Sequence, residues 1–351
     1  MTKNKRNLTA LSIWGIAVGI ALAQIRIPDV PPAAHDVRPG PGVQVRRLSD
    51  YAPALSKTPG DTAVYILDGK EPGGTIFVSG GTHGNEIAGI MAAVALVETA
   101  RVAKGRLIVV PYANNSAATY KDPLKPDMPR SFTVKTAGGE RTFTIGARLT
   151  RPEHQGEADP PQEKPVTSES GLAVSPRDLD RQYPGKPDGS LTQRIAYGIV
   201  SLLRKEKADI AFDLHEAPPG SRLAMMVVAH PKNVELGAEA VLVLEADGLT
   251  MKLEESSATF RGLSHREWGD ATGARAFLFE TPNPSMRKES PGDPVGDGEW
   301  PLAKRVGIHL ETMAAIIGAY NESVEDKARV VIENLPKLGD ITKAGIASVL
   351  K

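Results

Sequence analysis

Cysteine is absent from this sequence, and so is any excess of charge of one sign. Without thiols the chain has no disulfide, no thiolate metal ligand and no cysteine nucleophile. The 42 basic residues balance the 42 acidic ones, so no long-range field favours nucleic acid or an anionic membrane as a partner. The Gly-x-Ser-x-Gly frame of a nucleophile elbow is also missing, which argues against a serine hydrolase. At 351 residues the chain is still long enough to bury a large core.

The first 23 residues predict a signal peptide. A basic stretch containing Lys3, Lys5 and Arg6 precedes an apolar run from Leu8 to Leu22, and Ala21-Leu22-Ala23 offers a small-x-small cleavage site. The run is shorter than the roughly 20 residues that span a bilayer. We therefore expect an exported protein, periplasmic or extracellular, with no stable membrane span after cleavage. An uncleaved N-terminal anchor and a buried N-terminal helix are the alternatives.

Composition divides the rest of the chain into three parts. Residues 24–60 are rich in proline and predict an N-terminal strap over the surface. Residues 61–325 predict one catalytic domain, interrupted by an insertion at 120–186 that is rich in proline and charge. Such an insertion is either a mobile surface segment or a lid. Residues 326–351 predict a small C-terminal helical segment that docks on the domain.

The order of the predicted elements favours an α/β fold. Strands at 62–67 and 75–79 are followed by a helical pattern at 85–102 and a further strand at 106–112. A β-α-β order predicts a mixed, mostly parallel central sheet flanked by helices.

The same patterns continue towards the C-terminus. Helical spacing returns in two segments, strand patterns occur in two more, and the insertion contains two short strand-like runs on either side of Gly138-Gly139, which predict a hairpin. The predicted helices are 191–207 and 301–320, and the predicted strands are 210–215 and 222–229.

Three apolar strands end in residues that suit a metal site. His83 and Glu86 come just after the strand at 75–79, His215 ends the strand at 210–215, and Glu280 ends another apolar run. The carboxyl ends of strands in open α/β sheets are where active sites form. Two imidazoles and a carboxylate suit Zn²⁺ and leave a position for water, and Glu280 is placed to take a proton from that water.

Two further segments add candidate residues. Asp213 points to the same face as His215 because side chains alternate along a strand, so it could orient that imidazole; capping of the following turn is the alternative. The segment Asp178-Leu179-Asp180-Arg181 offers a guanidinium that suits a substrate carboxylate or a developing oxyanion, although taken alone a surface salt bridge with Asp178 or Asp180 is the more ordinary explanation.

Taken in order, Gly-Gly-Thr-His-Gly-Asn-Glu, Asp-Leu-Asp-Arg, Asp-Leu-His and Phe-Glu-Thr-Pro resemble the succinylglutamate desuccinylase/aspartoacylase family of the zinc carboxypeptidase superfamily. The resemblance covers residues 65–320 and implies a zinc carboxypeptidase-like fold. It implies that His83, Glu86 and His215 are zinc ligands, that Glu280 is the general acid/base, and that Arg181 binds the substrate carboxylate.

The sequence departs from this family in two places. Asp180 stands where relatives have asparagine, which weakens a pocket for a second carboxylate and predicts a substrate without the family's usual acid. Relatives also have an upstream arginine that polarises the scissile carbonyl. Ala173 stands at the corresponding spacing here, which leaves Arg148, Arg151 and Arg177 as candidates.

The predicted function is therefore an exported zinc-dependent hydrolase that cleaves an amide bond of an N-acyl amino acid. A metallocarboxypeptidase acting on peptides or cell-wall peptides is the main alternative, and a non-catalytic exported zinc-binding protein is an alternative of another class. The expected partner is a small-molecule or short-peptide substrate.

Overall fold

The structure is a computed structural model that describes residues 27–121, 126–156, 166–167 and 173–351. The predicted signal peptide, residues 1–23, lies outside the described residues. Within the described ranges, no helix combines the length and the apolar character that crossing a membrane requires.

Most of the strands belong to one mixed sheet of nine strands. The remaining strands form two short hairpins within the insertion. The strands are β1 (Gln44–Arg47), β2 (Ala63–Asp68), β3 (Glu71–Gly80), β4 (Arg101–Val110), β5 (Ser131–Thr136), β6 (Gly139–Thr144), β7 (Val166–Thr167), β8 (Ala173–Val174), β9 (Ile210–Ala217), β10 (Met226–Ala229), β11 (Lys252–Glu255), β12 (Arg275–Pro282) and β13 (Val331–Glu333).

The order of strands in the large sheet is β1-β2-β4-β3-β9-β12-β10-β11, with β13 paired to β4. The four central strands, β4, β3, β9 and β12, run parallel, whereas β2 and β10 join them antiparallel on either side. This arrangement confirms the predicted α/β class with a mixed, mostly parallel sheet. It also brings the carboxyl ends of β3, β9 and β12 side by side.

Helices cover both faces of this sheet. On one face, α6 packs against both α1 and α4, and all three helices cover the sheet; on the other face α3 packs against α5. The helices are α1 (Ile87–Thr99), α2 (Asn115–Ala118), α3 (Leu191–Lys205), α4 (Val234–Ala246), α5 (Ser264–Thr272), α6 (Leu302–Ser323) and α7 (Leu338–Ala344).

The alternation of side chains divides the core into two apolar layers. Phe212, Phe277 and Phe279 are fully buried on the face covered by α1 and α6. Phe77 lies on the opposite face against Trp268 of α5, with ring centroids 5.5 Å apart. Because Phe277 and Phe279 face one layer and side chains alternate along a strand, Glu280 is directed to the other.

The insertion forms the predicted hairpin, β5 paired antiparallel to β6, but its tip does not point to the site. The hydroxyl of Thr136 donates to the carbonyl of Lys351 over 3.4 Å, so the tip lies against the C-terminus. The part of the insertion that does reach the site is the segment that follows β6. There the N–H of Gly146 donates to the carbonyl of Gly84, and the N–H of Gly84 donates to the carbonyl of Ala147, each over 2.8 Å.

Candidate metal and catalytic site

The three predicted metal ligands meet at the carboxyl ends of β3 and β9. After β3, Gly81 turns the chain with a φ of 68°, a conformation that favours glycine. Nδ1 of His83 then lies 2.7 Å from Oε1 of Glu86, and Nδ1 of His215 lies 3.1 Å from Oε2 of the same carboxylate. The two imidazole rings are 4.8 Å apart and nearly perpendicular. The donor atoms of the three residues therefore lie close together. All three side chains are buried, so this cluster lies away from bulk water.

The other nitrogen of each imidazole faces a carboxylate. Nε2 of His83 lies 2.9 Å from Oδ1 of Asp178, and Nε2 of His215 lies 2.9 Å from Oδ2 of Asp213, although the second pair is poorly aligned for a hydrogen bond. A facing carboxylate favours a proton on Nε2, which directs the Nδ1 lone pairs of neutral imidazoles at Glu86. Lone pairs and carboxylate oxygens repel at these distances unless positive charge lies between them. Protons on Nδ1 or a metal ion can supply it, and the donor set fits zinc.

The pKa values of Glu86 and His215 are both shifted in the direction that favours positive charge beside the Glu86 carboxylate. Burial alone would raise the pKa of Glu86, but the two imidazoles hold it well below its usual range. Burial would lower the pKa of His215, but Asp213 and Glu86 raise it well above the ordinary value. The site therefore favours an ionised carboxylate among cationic groups, which is the state that a bound cation would also stabilise.

Arg148 is the candidate arginine that the structure brings into the site. Its Nε donates to Oδ2 of Asp178 over 3.0 Å, and its Nη1 lies 3.6 Å from Oε1 of Glu86. The side chain remains 41% exposed, so part of the guanidinium still faces open space. By contrast, Arg151 pairs with Glu153 at the surface, and Arg177 donates to the carbonyl of Thr150.

Asp180 lies in the site as a buried carboxylate and contacts the predicted substrate-binding arginine. Its Oδ1 accepts a hydrogen bond from the backbone N–H of Ser264 over 2.8 Å, and its Oδ2 lies 3.3 Å from Nη1 of Arg181. Burial raises the pKa of Asp180, and nearby Asp213 raises it further. Oxygen atoms of Asp180 and Asp213 and a nitrogen of His215 all lie within 4.8 Å of one another. Asp180 therefore faces Arg181 from within the same buried cluster as the predicted ligand His215.

Glu280 stands directly beside His215, one of the predicted metal ligands. The two residues are register partners in the parallel strands β12 and β9, so their side chains point to the same face of the sheet. Oε2 of Glu280 is buried and finds no hydrogen-bond partner within the part of the chain that the structure describes. Burial, reinforced by the charge of Glu86, raises the pKa of Glu280 to about 8. A carboxyl whose pKa lies near neutrality can both take and return a proton.

The structure adds residues that the sequence patterns did not single out for their present roles. Asp178 appears in the sequence as a partner for Arg181 but instead binds His83 and Arg148. Ser264 anchors Asp180 from the first turn of α5. Both contacts join segments far apart in the chain, so no local spacing indicates them.

The site thus brings together two imidazoles, the carboxylate of Glu86, the strand-end carboxyl of Glu280, three aspartates and two arginines at the edge of a mixed α/β sheet. No protein-family model and no curated protein sequence matches this chain. Solved structures do resemble it. One is a succinylglutamate desuccinylase from a Silicibacter species, with 20% identity, 74% of this chain and 61% of that chain covered, and a TM-score of 0.43.

Two further solved structures show the same kind of similarity. A succinylglutamate desuccinylase/aspartoacylase from Rhodobacter sphaeroides has 20% identity, covers 84% of this chain and 68% of that chain, and gives a TM-score of 0.44. A metallo-carboxypeptidase from Burkholderia cenocepacia has 12% identity, covers 81% of this chain and 66% of that chain, and gives a TM-score of 0.45. The chain therefore has structural neighbours in the succinylglutamate desuccinylase/aspartoacylase family and among metallo-carboxypeptidases. It spans about three fifths of the length of the first structure named.

Proposed function

We propose that this chain is an exported zinc-dependent hydrolase that cleaves an amide bond, of the succinylglutamate desuccinylase/aspartoacylase type. The observation that supports it best is the convergence of His83, Glu86 and His215 at the sheet edge. Glu280 lies beside them, as the register partner of His215 on the neighbouring strand β12. A protein that only bound a metal would have no chemical use for a buried carboxyl beside the ligands with a pKa of about 8. The sequence resemblance supports the same assignment.

In this proposal His83 and His215, each through Nδ1, and the carboxylate of Glu86 would hold the zinc. Zinc, when bound, supplies a Lewis acid that polarises the scissile carbonyl and lowers the pKa of water. Asp178 and Asp213 keep the two imidazoles in the tautomer and orientation that coordination needs.

The remaining residues handle the proton and the developing charge. Glu280 takes the proton of the attacking water on its carboxylate and returns it to the leaving amine. Arg148, held by Asp178 but still partly open to solvent, donates a charge-assisted hydrogen bond to the oxyanion that forms. Arg181 binds the anionic end of the substrate.

Asp180 limits the kind of substrate that this site accepts. Its carboxylate lies 3.3 Å from Nη1 of Arg181 and so partly neutralises that guanidinium. A substrate that brings two carboxylates to the pocket would meet repulsion from Asp180. We therefore propose substrates with one carboxylate, either N-acyl derivatives of neutral amino acids or short peptides. This substrate preference is tested by measuring hydrolysis of N-acyl amino acids, with and without an acidic side chain, and of short peptides.

The mechanism is tested by Glu280→Gln. The amide cannot accept the proton of water, so we expect kcat to fall about 10²–10⁴-fold while zinc stays bound. His83→Ala should lose the metal as well as activity. Glu255→Gln is the matched control, because Glu255 also ends a strand, β11, but is exposed. Full activity in Glu280→Gln would refute the mechanism, whereas zinc loss in that variant would show that Glu280 is a ligand rather than the base.

Export is tested separately. The proposed signal peptide predicts that the mature protein begins at Gln24, which N-terminal sequencing of the secreted chain measures. Retention of residues 1–23 on a membrane-associated protein would instead support the uncleaved anchor.

A further inference from the structure

Glu216, the residue after the ligand His215, lies at the centre of a buried polar network. Its Oε1 forms an ion pair with Nη1 of Arg305 on α6, and both side chains are fully buried. Its Oε2 accepts two more hydrogen bonds, from the backbone N–H of Ala88 over 3.0 Å and from Nδ2 of Asn283 over 3.1 Å. Removing an ion pair from water is expensive, and a shape-matched apolar pair in the same place is often no less stable. The pair therefore calls for an explanation beyond stability.

Two contacts of Glu216 end on the segment that holds the ligand Glu86, and a third reaches that segment through Asn283. Ala88 lies two residues after Glu86, at the start of α1. Asn283, besides binding Glu216, donates to the carbonyl of Asn85 over 3.2 Å. The backbone N–H of Glu216 donates to Oε2 of Glu86 over 3.0 Å. Glu216 thus fixes the residues on both sides of Glu86 and one oxygen of the Glu86 carboxylate.

The start of α1 explains why a second carboxylate is needed there. Glu86 occupies the N-cap position, where a side-chain oxygen normally accepts the free N–H of the second or third helical residue. In the described structure the Glu86 side chain makes no such capping bond, and its oxygens face His83 and His215 instead. Glu216 accepts the N–H of Ala88 in its place. Capping by Glu216 leaves the carboxylate of Glu86 available to the two imidazoles.

Arg305 ties this cap to the loop that follows β12. Its Nε donates to the carbonyl of Trp300 over 3.0 Å, and its Nη2 donates to the carbonyl of Pro294. The guanidinium therefore has fixed partners on three sides, which holds the carboxylate of Glu216 in one orientation.

We propose that Glu216, Arg305 and Asn283 are positioning residues that reserve the Glu86 carboxylate for a metal ion by capping α1 from outside the helix. This inference rests on the proposed function only in identifying Glu86 as a ligand. Without Glu216, the uncapped N–H groups of α1 compete with the metal for the carboxylate of Glu86.

The test is the double variant Glu216→Met/Arg305→Met, which removes both charges and leaves neither partner unpaired. We expect zinc affinity, measured by competition with a chelator, to fall about 10–100-fold, the effect usual for residues that orient metal ligands. Visible spectra of the Co²⁺-substituted protein should show altered coordination. Asn283→Ala, which removes no charge, should give a smaller loss in the same direction and serves if the double variant does not fold.

The matched control is Glu98→Met/Arg141→Met. This second Glu–Arg pair is also fully buried and involves α1, but it lies at the other end of the helix. It should leave zinc affinity and the Co²⁺ spectrum unchanged. Equal losses in the two double variants, or wild-type affinity in both, would overturn the proposal.

Hydrogen exchange of the metal-free protein separates this inference from the proposed function. Faster exchange of residues 86–90 is expected in Glu216→Met/Arg305→Met and in Asn283→Ala, but not in the control pair. A wild-type protein that binds no zinc would refute the proposed function, and the exchange result would still decide the role of Glu216. Unchanged exchange at 86–90 would refute that role.

Discussion

At the scale of single residues, the candidate site contains more acid than base. Among the described residues, five carboxyl groups lie in or beside it against two guanidinium groups and the two imidazoles of His83 and His215. Crowding of this kind is relieved when a carboxyl or an imidazole holds a proton, as the pKa of about 8 indicates for Glu280, or when a cation enters. The carboxyls belong to Glu86, Asp178, Asp180, Asp213 and Glu280, and the guanidinium groups to Arg148 and Arg181.

The role of Arg148 is testable at the same scale. Arg148→Met removes the charged donor proposed to stabilise the oxyanion, so kcat should fall about 10²–10³-fold with little change in KM. Arg151→Met is the matched control, because Arg151 lies three residues away and its pair with Glu153 is at the surface. Steady-state kinetics of both variants measure the difference. A change in KM alone would assign Arg148 to substrate binding instead.

At the scale of elements, the close approach of α1 to β9 sets the distance between Glu86, which precedes α1, and His215 on β9. A Cβ added at Gly89 would lie 2.3 Å from the carbonyl oxygen of Leu214, the residue before His215. Gly89 therefore lets the helix that follows Glu86 sit directly against the strand that carries His215.

Gly89→Ala tests this contact. The added methyl group must push α1 away from β9, so the free energy of unfolding should fall by about 1–3 kcal/mol. The matched control is Gly318→Ala in α6, where an added Cβ meets nothing within 4 Å. That change should raise the free energy of unfolding by about 0.5–1 kcal/mol, because glycine disfavours helices. Denaturant unfolding measures both; stabilisation by Gly89→Ala would show that the contact is not tight.

The elements themselves differ in how well sequence predicts them. β3, β9, α3 and α6 follow from clear apolar runs or stripes and lie within a few residues of their predicted bounds, apart from the N-terminal end of β3. Helix α4 is not predicted, because apolar residues occur on its exposed side as well as its buried one: Leu242 and Val243 are 66% and 52% exposed. Helix α5 is not predicted either, because its sequence is largely polar and its anchor, Trp268, is a single residue.

The residues of the candidate site likewise differ in how well the sequence predicts their position. The convergence of His83, Glu86, His215 and Glu280 could be predicted because each follows or ends a strand, and parallel strands end at one edge of the sheet. Asp213 could be predicted from the alternation along β9. Arg148 and Asp178 could not be assigned, because they lie in an insertion without regular periodicity. Only tertiary contacts, such as those of Gly84 with residues 146–147, bring them to His83.

At the scale of the whole molecule, a second buried cluster joins distant parts of the chain. Arg141 of the insertion hairpin is fully buried and binds Glu98 of α1, Asp36 of the N-terminal strap and the backbone carbonyl of Lys351. Arg141 therefore links the hairpin to the strap, to α1 and to the C-terminus. The hairpin thus has a structural role in this region, and the insertion contributes to the site through Arg148, Asp178, Asp180 and Arg181.

Buried histidine also makes the stability of the whole molecule depend on pH. His309 of α6 is fully buried, and its Nε2 lies 3.1 Å from the hydroxyl of Thr281. Burial, together with the charges of Arg305 and His215, lowers the pKa of His309 to about 3. In the unfolded chain a histidine has a pKa of about 6.5. Between these values the unfolded state binds one proton more than the folded state, so stability must fall as pH falls from 6.5 towards 3.

His309→Gln removes this titration while keeping a polar group near Thr281. At pH 7 the variant should be no more stable than the wild type. Below pH 6.5 the free energy of unfolding of the wild type should fall relative to that of the variant by about 1.4 kcal/mol per pH unit, or about 3 kcal/mol by pH 4. Urea unfolding of both metal-free proteins at several pH values measures the difference. Thr281→Val is the control: it loses the hydrogen bond but keeps the histidine, so its difference from the wild type should show no such slope. Parallel curves for His309→Gln and the wild type would mean that His309 titrates alike in the folded and unfolded states.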